Sequence, residues 1–278
     1  MIKNYFKIAW RTIVKDKSFT AINLLGLASG LAITLMIVQY VRFELSYENN
    51  HPKANQLVRI TTDILNGESV VSQDVETYPP LARMLKEQLP EVVNSTRAYP
   101  IGEPNVNIEI NQKQYIIEKM FAVDSSFFDM FNYPLISGTR KGLMTEVRQV
   151  VLSESVAMRY FNSIDVVGET LYYIGGRDKV LFTVAGVAED APTNTHLKFD
   201  MLISYPTMFS DFGEEKGNWS GNNTLTYLEL GESASYDKFV SSLESFNEGL
   251  VKKEFVSDER FISQKVGDIH LYSKKGFE

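Results

Sequence analysis

Ser18 to Val41 reads SFTAINLLGLASGLAITLMIVQYV, 24 residues without a charged side chain. As a helix rising about 1.5 Å per residue it is roughly 36 Å long, enough to cross a bilayer core of about 30 Å with some tilt. A buried core helix seldom sustains more than about 14 such residues, and the apolar part of a cleaved signal peptide is about 7 to 15 residues ending at a small-x-small site. Here Gln39-Tyr40-Val41-Arg42-Phe43 closes the run instead. Residues 18–41 are therefore expected to form a transmembrane helix. On it Gly26 and Gly30, with Ala28 and Ala32, form a face that permits close packing of another helix.

Outward from this segment the two flanks differ. Residues 1–17 carry Lys3, Lys7, Arg11, Lys15 and Lys17 against Asp16, about +4 of a chain whose net charge is −7, so everything beyond is strongly acidic. Ile2, Tyr5, Phe6, Ala9, Trp10 and Ile13 share one helical face, and most of the basic residues lie on the other. This predicts a basic amphipathic helix on anionic membrane lipid, with Lys3, Lys7 and Arg11 toward the phosphates and Trp10 at headgroup depth. The alternative is a positive anchor that only sets topology. Five basic residues precede the span and two, Arg42 and Lys53, follow within a similar window, which places the N-terminus in the cytoplasm.

No second apolar run of membrane length follows Arg42, so residues 42–278 belong to one side of the bilayer. Leu57–Ile64 alternates like a strand, and Leu81, Leu85 and Leu89 mark a helix between Tyr78-Pro79-Pro80 and Pro90, with Thr77 ahead of it. Val106, Ile108 and Ile110 followed by Tyr115–Glu118 across NQKQ predict a hairpin. After a short turn in SSFFDMF, Pro134–Gly142 reads as loop, Val150–Leu152 as strand, and Ser153 as the cap of ESVAMRYF. Thr170–Ile174 and Val180–Val187 flank Gly-Gly-Arg-Asp as a second hairpin, and Leu225–Leu230 is a strand. Tyr236, Phe239, Val240, Leu243, Phe246 and Leu250 give the clearest amphipathic helix outside the membrane, before extended structure over Phe261–Tyr272. Strands with interspersed helices and no regular βαβ alternation predict an α+β fold. The joining segment FELSYENNHPKA has no Gly and one Pro, unlike a slack linker. Phe43, Leu45 and Tyr47 are expected to couple the span to the outer domain.

The chemistry of catalysis is missing from the pattern. Zero cysteines exclude disulfides, thiolate zinc sites, iron–sulfur clusters and a cysteine nucleophile. The P-loop, dinucleotide, nucleophile-elbow, zincin and EF-hand signatures do not occur, and Gly217-Asn-Trp-Ser-Gly221 sets its serine one place late for an elbow. Its predicted role is a turn that holds a buried or capping Trp219. His51, His196 and His270 lie too far apart to share a ligand spacing, and His196 and His270 read as hydrogen-bonded structural histidines on apolar strands. Asp124, Glu154, Asp190 and Asp200 read as solvated or capping carboxylates. Catalytic, cofactor and metal residues are therefore expected to be none, and the net charge argues against nucleic acid.

Blocks of sequence in a fixed order resemble a known family. KIAWRTIVKDKSFTAINLLGLASGLA from Lys7, FELSYENNHPKANQLVRI at Phe43–Ile60, VVLSESVAMRYF at Val150–Phe161 with VGETL at Val167–Leu171, FTVAGVAEDAPTNTHLKFDMLIS at Phe182–Ser204, and DIHLYS at Asp268–Ser273 are similar to the FtsX-like permease subunits of bacterial ABC transporters with a MacB-type periplasmic core domain. The resemblance covers nearly the whole chain. It implies a first inner-membrane helix followed by a two-lobed periplasmic domain, lobe one at about 42–123 plus 222–278 and an inserted lobe at about 124–221. It also implies a non-catalytic lever without cofactors. A separate cytoplasmic ABC ATPase would drive it beside a second permease subunit, homo- or heterodimeric, to export a substrate or act on a periplasmic or outer-membrane partner. Asn50 stands where the family has an aromatic residue. The chain ends at Gly276-Phe277-Glu278, where the family leads into further spans, so the expectation is the N-terminal part of a permease, a fragment or a truncated gene.

The competing reading is a single-pass sensor or adaptor with an extracytoplasmic binding domain; an arm of 17 residues holds no signalling domain. An anchored hydrolase lacks a nucleophile constellation. The topology is testable because the chain has no cysteine of its own. In intact cells a cysteine at Ser18 is expected to resist a membrane-impermeant thiol reagent, while one at Asn66 or Ser210 reacts. The reverse pattern would overturn the orientation.

Overall fold

The computed structural model describes residues 2–102, 105–175, 178–213, 217–252 and 255–273, with backbone alone for residues 2, 3 and 178. It divides into two compact units, one ending at Tyr47 and one beginning at Glu48.

The first unit is helical, with α1 (Ile2–Lys15) and α2 (Lys17–Glu44) meeting at Asp16. Asp16 donates its N–H to Thr12 O and accepts from Thr20 N–H, so the backbone stays bonded across the join. α2 outruns the uncharged stretch at both ends. It is long and apolar enough to cross a membrane, and its 18-residue apolar window has no buried residue.

The second unit is α+β. Its elements are β1 (Leu57–Asn66), β2 (Ser69–Asp74), α3 (Leu81–Gln88), β3 (Val92–Pro100), β4 (Val106–Ile110), β5 (Lys113–Ile117), β6 (Met120–Val123), α4 (Phe127–Met130), β7 (Leu135–Gly138), β8 (Gln149–Ser153) and α5 (Glu154–Phe161). There follow β9 (Thr170–Gly175), β10 (Asp178–Ala188), β11 (Met201–Ser204), α6 (Pro206–Asp211), β12 (Leu225–Leu230), α7 (Tyr236–Lys252), β13 (Glu259–Lys265) and α8 (Ile269–Tyr272). The strands run β13-β1-β12-β3-β6-β11-β8-β10-β9-β4-β5 in one sheet, with β2 on β1 and β7 on β10. Most pairs are antiparallel, but β8 with β10 and β6 with β11 are parallel.

Alternation along the strands decides which face is covered. Val106, Ile108 and Ile110 of β4 point into a core with Val150, Phe182 and Met201, while Asn107 and Glu109 face outward. β4 turns into β5 through Asn111 and Gln112, both at positive φ, as a two-residue hairpin loop requires. At the other end of the sheet α3 and α7 bury Leu81, Leu85, Phe239 and Leu243 against Val58, Ile60, Leu228 and Phe261. Between these lies an aromatic cluster with Phe127, Phe131, Tyr133 and Tyr227. Ser153 caps α5, its hydroxyl accepting from Val156 N–H at 3.3 Å.

Two local expectations are corrected. Pro134–Gly142 contains β7, paired with β10; Gly138 is at φ +95, and a Cβ there would lie 2.6 Å from Ala185 O, so glycine lets the strands approach. Extended structure after Phe261 stops at Lys265, where a 3-10 turn leads into α8 with His270 on it. Pro80 stands at the start of α3, and the Thr77 hydroxyl ahead of it donates to Thr224 O at 3.0 Å and bonds the Thr226 hydroxyl at 2.8 Å. The expected hairpin loop at Gly176-Arg177 and the terminal Gly276–Glu278 lie outside the described residues.

Candidate functional site

Glu48 opens the second unit, and its chemistry is unlike that of a solvated acid. Its φ is 62, left-handed backbone that costs a residue with a Cβ about 1–2 kcal/mol. Its side chain is only 1% exposed. A buried carboxylate must be bonded at nearly every lone pair to be tolerated. Here Oε1 accepts from the His196 backbone N–H at 2.7 Å and from His196 Nδ1 at 2.8 Å. Oε2 accepts from Thr195 Oγ1 at 2.9 Å and faces His51 Nε2 at 3.4 Å. The Glu48 N–H donates to Asn194 O at 3.0 Å.

The imidazoles extend the network. His51 Nδ1 accepts from Asn132 N–H at 3.0 Å, which leaves its proton on Nε2, toward Glu48. His196 bonds Glu48 through Nδ1, so its Nε2 accepts from the Tyr227 hydroxyl at 2.8 Å. Rings close the site: His51 meets Phe131 and Tyr133 edge-on at 5.1 and 5.4 Å, and the Tyr133 hydroxyl donates to Leu197 O at 2.7 Å. Four pieces of chain distant in sequence converge on one carboxylate: residues 48–51, the segment after α4, residues 194–197, and β12.

Burial alone would raise the Glu48 carboxyl, but hydrogen bonds from His196 and His51 outweigh it and hold the group well below the ordinary carboxylate range. Burial pushes His196 below its ordinary value, against the pull of Glu48, and the nearby Arg59 and His51 act in the same direction as burial. The pair is therefore an ionised Glu48 beside a neutral His196. Arg59 on β1 is itself 2% exposed and donates to Gln264 Oε1 on β13 at 2.7 Å. With its lone pairs bound inside the protein, the Glu48 carboxylate serves as a joint.

The residues singled out from the sequence fall elsewhere. Lys7, Trp10 and Arg11 are exposed on α1, and the side chain of Lys3 lies outside the described residues. Gly26 and Gly30 lie on α2, where a Cβ at either would meet nothing within 4 Å. Phe43 lies in the last turn of α2, Leu45 is its C-cap, and the Phe43 ring stands edge-on to Tyr47 at 5.7 Å. Turn bonds run from Ser46 N–H to Phe43 O in the first unit, and from His51 N–H to Glu48 O and Ala54 N–H to His51 O in the second. His196 is hydrogen-bonded as expected, in an irregular segment and not on a strand. Trp219 is half-buried, stacked on Phe255 at 5.2 Å. Asp124 forms a fork with Arg97, and Asp190 and Asp200 accept backbone N–H groups of Ser155 and of Glu118 and Lys119. Among the described residues no three His, Cys, Asp or Glu are arranged to hold a metal ion. Glu48, Thr195, Tyr133 and Tyr227 were not legible as a site; the one signal was a histidine within three residues of an acid in ENNH.

Comparison with known proteins gives a consistent picture. The family model for the MacB-like periplasmic core domain matches residues 20–246. A crystal structure of a domain of a permease protein from Porphyromonas gingivalis superposes with a TM-score of 0.64 at 22% identity, covering 78% of this chain and 92% of that one. The periplasmic region of MacB from Actinobacillus actinomycetemcomitans gives 0.52 at 17%, covering 75% and 89%. The extracellular domain of the noncanonic ABC-type transporter YknZ from Gram-positive bacteria gives 0.53 at 13%, covering 75% and 99%. No curated protein matches at a significant level.

Two outcomes test the joint. Glu48→Ala strands the hydroxyl of Thr195 and two N–H groups of His196, and is expected to lower unfolding free energy by about 3 kcal/mol in denaturant titration. Because His196 binds its proton more weakly when folded, its contribution is complete above the ordinary value of 6.5 and is lost as pH falls below it. The melting temperature is thus expected to decline below pH 6.5, and less steeply in His196→Gln. An identical pH profile in the variant would remove His196 from the account.

Proposed function

The chain belongs to the family of MacB-like periplasmic core domains, and from that premise we propose that it is the N-terminal part of an ABC transporter permease whose outer domain carries movement from the membrane to work in the envelope. The observation that carries this reading is the position of the Glu48 joint, four residues after the end of α2. A helix end that shifts or turns pulls directly on a residue bonded to residues 194–196 and, through His196, to β12 at the centre of one half of the sheet. Packed interiors transmit such a displacement instead of absorbing it. Phe43, Leu45 and Tyr47 stiffen the same passage.

In this reading a separate cytoplasmic ATPase supplies the stroke and the chain performs no chemistry. It works beside a second permease subunit, whose helices can approach at Gly26 and Gly30. α1 lies on cytoplasmic lipid through Lys3, Lys7, Trp10 and Arg11, and residues 42–278 are periplasmic, facing a substrate or envelope partner. The division into a lobe of about 42–123 plus 222–278 and an inserted lobe of about 124–221 belongs to this proposal; a core over residues 58–92 and 228–261 and another over residues 101–208 speak for it, and the aromatic cluster joins residues of both.

The test is mechanical. In the permease assembled with its ATPase, about six Gly/Ser residues inserted after Tyr47 form a flexible tether. ATP hydrolysis is expected to persist while transport or the envelope phenotype disappears. Full transport with the insert would refute the lever, and failure of any ABC ATPase to co-purify would remove the assignment.

A further inference from the structure

β1 and β2 form a hairpin that closes through the loop Gly67-Glu68, with Asn66 opposite Ser69 as its last rung. β2 pairs with β1 alone, and every residue from Asn66 to Ser72 is exposed. Gly67 sits at φ 63, where a Cβ would meet nothing within 4 Å. Among the described residues no hydrogen bond engages the Gly67 N–H or the Asn66 side chain. Asn66-Gly67 is also the single Asn-Gly pair of the chain.

The side-chain amide carbon of an asparagine lies within reach of the next main-chain nitrogen, and joining the two makes a cyclic imide. That closure needs a nitrogen free of other bonds, a following residue that does not crowd it, and a backbone that can turn out of extended geometry at the asparagine. Gly67 meets the first two conditions, having no side chain and an unbonded N–H. The third costs one rung. At the tip of a hairpin Asn66 can part from Ser69 without disturbing a core, and such ends open at little cost.

The two asparagines followed by serine are placed differently. Asn94 lies within β3 opposite Glu229, and its Oδ1 accepts from the Lys86 ammonium and from the Ser95 N–H, each at 3.0 Å. The nitrogen that would have to attack is therefore already engaged. Asn162 is held at φ 57 as the C-cap of α5, its own N–H donating to Met158 O at 3.1 Å.

We propose that Asn66 is a site of self-modification, converting to aspartate and isoaspartate through a cyclic imide with Gly67. The Gly67 nitrogen bonds to Asn66 Cγ as its proton passes to water, the Cγ–Nδ2 bond breaks, and Nδ2 takes up a proton and leaves as ammonia. Water then opens the imide. Attack at Cγ gives aspartate, and attack at the main-chain carbonyl gives isoaspartate, in which the chain runs through the former side chain. Either product places a new carboxylate beside Glu68, and isoaspartate lengthens the main chain by one carbon, so the rung to Ser69 no longer closes in its present register. The proposal does not depend on the lever reading.

The full chain in nanodiscs of zwitterionic lipid is incubated at neutral and at mildly alkaline pH, and its peptides are mapped by mass spectrometry. Tryptic peptide 60–83 contains Asn66 as its one asparagine. Conversion there is expected to be faster at the higher pH, about tenfold or more faster than at Asn94 or Asn162, and within about tenfold of the rate in a free peptide of residues 62–72. Gly67→Ala is expected to slow it about tenfold or more, because a methyl group crowds the nitrogen, and Asn66→Ser to abolish it. A lead over Asn94 and Asn162 smaller than this, stronger protection relative to the free peptide, or an unchanged rate in Gly67→Ala would each overturn the proposal.

Discussion

The second unit depends on a carboxylate that water cannot reach. An ionised acid in a protein interior is tolerated only when donors replace its hydration, and Glu48 gathers the two donors of His196, the Thr195 hydroxyl and the face of His51. Each donor belongs to a piece of chain that would otherwise be an irregular connection. Residues 194–197 lie between two strands with no ladder of their own, and the carboxylate supplies what a ladder would have supplied. The positive φ at Glu48 is a cost offset by this arrangement, since only that backbone turn aims both oxygens inward while the N–H reaches Asn194.

A polar joint has a property that an apolar one lacks. Hydrophobic contacts can slide by a fraction of an ångström at little cost, whereas a carboxylate held by several directed bonds has one favourable position. The aromatic rings around it, Phe131, Tyr133 and Tyr227, exclude water and so strengthen each bond. The Arg97 fork on Asp124, with the guanidinium 3.5 Å over the Tyr205 ring, is a partly exposed counterpart between β3 and the residue after β6.

What could be read from the sequence follows from range. Local signals were legible: Ser153 as a cap, the β4–β5 alternation with its polar turn, the α7 stripe, and the long apolar helix. Their physics is completed within a few residues. β7 was missed because Leu-Ile-Ser-Gly carries no alternation, and its strand character comes only from pairing with β10. Nothing near Thr77 announces its partner, because Thr224 is 147 residues away. Glu48 was not singled out, because nothing near it in the sequence announces Thr195 or Tyr227. The family resemblance supplied the outline of the domain, but it did not point to the joint.

The separation between Glu48 and Thr195 also has a consequence for how the protein is made. The two are 147 residues apart, so the carboxylate cannot find its donors until the chain beyond His196 has left the ribosome. α2 precedes it in the chain and is synthesised first. For the whole interval of synthesis between them the first turn of the domain is unlocked and its acid still hydrated. Contacts of such long sequence span form late and slowly. The hydrated acid is therefore a state confined to biogenesis, and closure of the joint marks its end.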